Sequence, residues 1–121
     1  MPLSALLKPV RLDLHLRAGD SYARSVQIQE PDGTPTNLAG YTPRAHVRDR
    51  PGGTLLAVLA TSIVGDPANG TVSYALTATQ TRSLGELEPV MVWDLELDAG
   101  DTRTTTVADG YVSVCPEVTV P

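Results

Sequence analysis

Phenylalanine is missing from this chain of 121 residues, and tryptophan and cysteine occur once each. With no Phe, the core has to be built from small aliphatic side chains, and Trp93 must supply much of its large apolar area. The lone Cys115 excludes an internal disulfide, and nothing points to passage through an oxidising compartment. Basic residues are also scarce: 9 Lys and Arg stand against 14 Asp and Glu, for a net charge of −5. That balance gives no electrostatic support for nucleic-acid binding and reads as an ordinary solubilising charge. No apolar run approaches the roughly 20 residues of a membrane helix. The opening MPLSALLKPV lacks the basic region and the long apolar stretch of a signal peptide. No internal repeat and no domain boundary is visible.

What is present is alternation. In VMVWDLELD, Val90 to Asp98, the residues Met91, Trp93, Leu95 and Leu97 alternate with Val92, Asp94, Glu96 and Asp98. A period of two predicts a strand with one apolar and one acidic face, and its Trp marks it as central. VRLDLHL predicts another, with Val10, Leu12, Leu14 and Leu16 on one face and Arg11, Asp13 and His15 on the other. RAGD then turns into SYARSVQIQ, where Tyr22, Val26 and Ile28 share a face that Arg24 interrupts, so these two strands are expected to form a hairpin. EPDGTPTN is a turn by composition.

Leu38 and Tyr41 are expected core anchors around Gly40, which permits positive φ or close backbone approach. Ala45 and Val47 alternate with Arg44, His46 and Arg48 in a strand reaching about Asp49, with Pro43 at its start or on an edge. RPGG turns into the apolar run TLLAVLAT, and GDPANG turns into TVSYALT, with Val72, Tyr74 and Leu76 on one face. TATQTRSLGELEP predicts a single helical turn or a short 3-10 segment, with Thr77 or Thr79 as the N-cap candidate, because Gly85 and Pro89 exclude a long helix. AGDTR is a hairpin turn, and in the last strand Val112, Val114, Val118 and Val120 share a parity that Pro116 breaks. About seven strands with turns every 8 to 12 residues describe an antiparallel sandwich or barrel. The length suits one domain that buries roughly two-thirds of its unfolded surface. Residues 10–121 are assigned to it, with residues 1–9 as an N-terminal arm carrying Leu3, Leu6 and Leu7.

Catalytic chemistry finds little to stand on. A hydrolytic triad needs His15 or His46 beside a Ser or Cys and a carboxylate, and both histidines alternate with charged residues on solvated faces. There is no G-x-S-x-G elbow and no phosphate loop. Cys115, beside Pro116 and Glu117, lacks the electropositive setting that activates a thiolate. Asp94, Glu96 and Asp98, with Asp101 beyond, offer oxygen ligands, but i and i+2 neighbours on a strand stand about 6–7 Å apart, wide for one cation. An acidic face that is solvated or paired with arginine accounts for them better.

Five segments in order resemble a known family. RAGDSYARSVQI, DGTPTNLAGYTPRAHVRD, NGTVSYALTATQTRSL, PVMVWDLELD and DGYVSVCPEVT together are similar to small tailed-phage virion proteins, and to the N-terminal domain of the phage baseplate upper protein. The resemblance spans about Leu12 to Thr119. It implies an all-β chain: a single antiparallel Ig-like β-sandwich of about seven to eight strands with at most one short helical turn. It also implies a non-enzymatic structural component of a virion, in the tail, baseplate, fibre attachment or capsid decoration. The partners would be other virion proteins and further copies of the chain, with no cofactor, metal, nucleic acid, membrane or small-molecule substrate. Assembly would take place in the bacterial host cytoplasm. It carries over no catalytic, cofactor-binding or metal residues; Leu38, Gly40, Tyr41, Trp93, Asp94 and Gly110 stand as fold determinants. Two other classes remain beside it: a ligand- or glycan-binding sandwich, marked by exposed aromatics, and a hydrolase, with His15 or His46 in a pocket.

Overall fold

The computed structural model describes residues 9–87, 90–100 and 103–118. Eight strands follow in chain order: β1 (Val10–Arg11), β2 (Leu14–Arg17), β3 (Tyr22–Gln27), β4 (Thr42–Arg48), β5 (Leu55–Ile63), β6 (Thr71–Leu76), β7 (Val90–Asp98) and β8 (Thr104–Cys115). A 3-10 turn at Pro67–Asn69 precedes β6, and helix α1 (Ala78–Gly85) joins β6 to β7. The strands form one curled sheet in the order β1-β8-β7-β4-β5-β6-β3, with β2 also on β8. The curl lies in β5, whose first half pairs with β4 while Ala60–Ile63 pair with β6. Inward residues of β3 and β6 therefore meet those of β4, β7 and β8 in one core, and the Tyr74 and Trp93 rings lie 5.1 Å apart across it. No helix among the described residues is long and apolar enough to cross a membrane.

The alternation read in the sequence holds along β6 and β7 and in the second half of VRLDLHL, while Val10, expected on the inward face, is exposed. Met91, Trp93, Leu95 and Leu97 are all buried, and β7 is paired on both sides, with β4 and β8. Val72, Tyr74 and Leu76 are buried on β6, and Leu14 and Leu16 on β2. Leu38 is buried, Tyr41 packs against the core, and Gly40 takes a φ of 83°. Thr77 caps α1 in a full capping box, its hydroxyl accepting from the Gln80 N–H while the Gln80 side chain accepts from the Thr77 N–H.

Four expectations need correction. The sheet is not wholly antiparallel, because β1 and β2 run parallel to β8. β2 and β3 are not a hairpin: β2 joins β8, and β3 joins β6. The RAGD turn carries the chain from one side of the core to the other, and two strands with one apolar face each fit that arch as well as a hairpin. Helix α1 has eight residues, about two turns, and is more than a single turn. Thr81 holds it: fully buried, its hydroxyl accepts from the Gly19 N–H at 3.1 Å and donates to the Asp20 carbonyl at 2.8 Å. Arg82 adds an ion pair to Glu117 at 3.1 Å. Finally, β8 ends at Cys115, and Val118 is 90% exposed instead of continuing the valine face. The expected arm, apart from Pro9, lies outside the described residues, as does Val120.

VRLDLHL also divides into two strands, for a reason centred on Trp93. Between β1 and β2, the backbone at Leu12 and Asp13 leaves the ladder of β8. The Leu12 N–H still donates to the Asp109 carbonyl at 2.8 Å, while the Leu12 carbonyl turns inward and accepts from Trp93 Nε1 at 2.7 Å. Gly110 lies opposite Trp93 on β8, and a Cβ there would collide with the Leu12 carbonyl oxygen. A buried indole N–H needs an acceptor, and only glycine lets the backbone come close enough to supply it.

Two outcomes follow for equilibrium unfolding in urea. Trp93→Ala removes the ring and its bond to Leu12 and is expected to cost about 3–5 kcal/mol. Gly110→Ala forces the Leu12 backbone away and is expected to cost about 1–3 kcal/mol, although it adds only a methyl group. A Gly110→Ala chain as stable as the parent would show that the close approach is not a constraint.

Candidate functional site

The outward residues of β1, β8, β7 and β4 form the chemically richest surface. Register places Arg11 beside Asp109, Asp109 opposite Asp94, Asp94 opposite His46, and His46 opposite Val58 of β5. The neighbouring row brings Tyr111, Val92 and Arg48 together. A β-bulge shapes the floor: Leu95 pairs with Ala108 but Glu96 with Thr106, leaving Val107 as the extra residue. Val107 and Ala108 consequently both enter the core, and Thr106 and Asp109 flank the bulge on the outside. Above it lies an open depression of about 490 Å³, lined by Arg11, His46, Arg48, Asp94, Asp109 and Tyr111 and rimmed by Pro51 and Gly52.

Several of these side chains are held in place. Arg48 donates from Nη1 to the Gly53 carbonyl at 2.9 Å. Arg11 donates from Nε to Asp13 at 3.0 Å and lays its guanidinium 4.7 Å above the Tyr111 ring. Asp13 also accepts from the Tyr111 N–H at 2.9 Å, so one carboxylate fixes both members of the stack. That N–H bond first, and Arg11 second, hold the Asp13 carboxyl below its ordinary range. Asp94 is shifted the other way. Burial pushes its pKa up, and Glu96 and Asp109 add to this against the opposing pull of His46 and Arg48.

The residues singled out for catalysis do not converge. His15 Nδ1 lies 3.1 Å from Ser113 Oγ on an exposed surface, and the nearby Asp13 is engaged by Arg11 and Tyr111. His46 lies on β4, in a row three strands away, opposite Asp94. Cys115 is an exposed free thiol. Asp94, Glu96 and Asp98 do share one face, where Arg44 pairs with Asp98 at 3.5 Å. No cluster of His, Cys, Asp or Glu suited to a metal occurs among the described residues, and Asp101 lies outside them. Of the face that the structure assembles, Arg11, Arg48, Asp109 and Tyr111 were not singled out in the sequence. The signal for Tyr111 was its parity, opposite to Val112.

This is an Ig-like domain by fold: a curled, mostly β structure. A chicken TCR crystal structure matches it with a TM-score of 0.58 at 13% identity, over 93% of this chain. The chain spans 57% of that receptor chain, and the likeness is one of fold alone. No protein-family model and no curated protein matches the sequence.

The raised pKa of Asp94 has a thermodynamic consequence. Ionising this carboxyl in the folded protein is harder than in the unfolded chain, so stability is lost as pH rises through the raised value. Below the ordinary value of 3.8 both states hold the proton and the penalty is absent. Asp94→Asn is therefore expected to melt higher than the parent at pH 7, with the gain vanishing as pH falls below that range. Thermal melts across pH check this, and a lower melting temperature for Asp94→Asn at pH 7 contradicts it.

Proposed function

We propose that this chain is a single Ig-like β-sandwich, closed by the bend in β5, that serves as a non-enzymatic docking component of a tailed-phage virion. The observation that carries the reading is where the family-like segments fall. Their distinctive residues are spent on the fold: Leu38 in the core, Gly40 in a turn, Trp93 and Gly110 at the Leu12 crossing. None of the four joins a catalytic constellation, which leaves the surface as the means of action. That surface supports docking. Val58 and Val90, on the outer face beside the charged row, are each more than half exposed. Apolar side chains next to aromatic and arginine residues are the composition of protein contact surfaces. The partners on this reading are other virion proteins and further copies of the chain, and its place is the particle.

Purified particles provide the test. The chain is expected among their proteins in fixed stoichiometry, and the isolated protein is expected to sediment as an oligomer or to bind particles that lack it. A V58E/V90E variant should keep its melting temperature within a few degrees, as surface changes do, and lose that association. Absence of the protein from particles, or particle binding untouched in V58E/V90E, overturns the reading.

A further inference from the structure

The depression over β8, β7 and β4 contains groups that the fold does not use. Among the described residues, the side chains of Asp94, Asp109 and His46 make no hydrogen bond, although Asp94 is partly withdrawn from water. Arg48 has one bond, to Gly53, and its fork carries further N–H donors. Tyr111 is 52% exposed, with Arg11 over one side of its ring. No buried side-chain polar atom among the described residues lacks a hydrogen-bond partner, so these half-exposed groups face solvent, and a ligand entering the open hollow meets them without breaking an internal bond.

The charges decide which ligand. Two arginines, Arg11 and Arg48, oppose two carboxylates, Asp94 and Asp109, with His46 beside them. An anion entering the hollow meets the paired carboxylates, and a cation meets both guanidinium groups, so neither is selected. A hydroxyl suits both kinds of wall, because it donates to a carboxylate while accepting from a guanidinium or imidazole N–H. The row Arg11, Asp109, Asp94, His46 sets a donor at each end of a carboxylate pair, on adjacent strands about 4.7–4.9 Å apart, a spacing that matches a ligand bearing several hydroxyls. The exposed Tyr111 ring adds an apolar surface of the kind that the C–H face of a sugar ring covers. The volume of about 490 Å³ falls within the range of small-molecule sites.

We infer that this depression binds a neutral saccharide, with Asp94, Asp109, Arg48 and His46 taking its hydroxyls and Tyr111 lying against its apolar face. The inference does not rest on the virion reading, since a sugar site serves an Ig-like domain in any setting.

The experiment is titration of the full chain, followed by amide chemical shifts, with glucose, galactose, rhamnose, N-acetylglucosamine and a β-linked disaccharide of each. A lysine-rich and a glutamate-rich peptide serve as charged competitors. At least one sugar is expected to bind in about the millimolar range, with shifts centred on Asp94, Asp109 and Tyr111. Tyr111→Ala and Asp94→Asn should each weaken that binding about tenfold or more. Both positions lie on the outer face, and melting curves verify that the variants are folded. V90E, opposite Ser113 and outside the lining of the hollow, should bind the sugar normally, which separates this site from the docking proposal. The inference is overturned if no sugar in the set shifts these amides, if Tyr111→Ala and Asp94→Asn bind as the parent does, or if a charged peptide takes the hollow in preference to every sugar.

Discussion

The bond from Trp93 Nε1 to the Leu12 carbonyl organises much of this fold. It requires an indole buried at the centre of β7, a backbone that leaves its ladder between β1 and β2, and a glycine at position 110 beneath the crossing. Each condition depends on the others. Without the indole, the Leu12 carbonyl loses its donor, and without Gly110 it cannot approach. The same crossing brings Asp13 over β8, where it accepts from the Tyr111 N–H and from Arg11. One internal hydrogen bond thus sets the geometry of the outer face as well as that of the core.

Helix α1 makes a second, independent tie between parts of the chain that are distant in sequence. Thr81 satisfies the RAGD turn from beneath, and Gln80 donates from Nε2 to the Val58 carbonyl at 2.9 Å, covering part of β5. A Cβ on Gly85 would stand 3.0 Å from the Ala18 Cβ, so the helix sits close against the turn. The segment is short, but it fixes the arch by which β2 and β3 reach different partners.

The two faces of β7 show how stability and binding capacity divide along a single strand. The inward set Met91, Trp93, Leu95 and Leu97 is fully buried and supplies the hydrophobic driving force. The outward set carries Asp94, whose ionisation is opposed by burial and by neighbouring carboxylates. A neutral residue at that position is expected to remove this cost to stability.

Period-two alternation was enough, from the sequence alone, to place β4, β6 and β7, to assign their inward faces, and to mark Trp93 as the core's large ring. Local chemistry was enough for the Thr77 cap and the left-handed Gly40, because caps and turns are decided by a few adjacent residues. Partner choice was not legible. Whether β2 pairs with β3 or with β8 depends on which apolar faces close over the same core, and both strands present equally good ones. The split at Leu12 and Asp13 was hidden for the same reason: its cause lies in Trp93 and Gly110, far along the chain. The outer face belongs to this second category. Arg11, Asp94 and Asp109, together with His46, become neighbours only through strand register and the Val107 bulge, and both are set by long-range pairing that no single segment encodes.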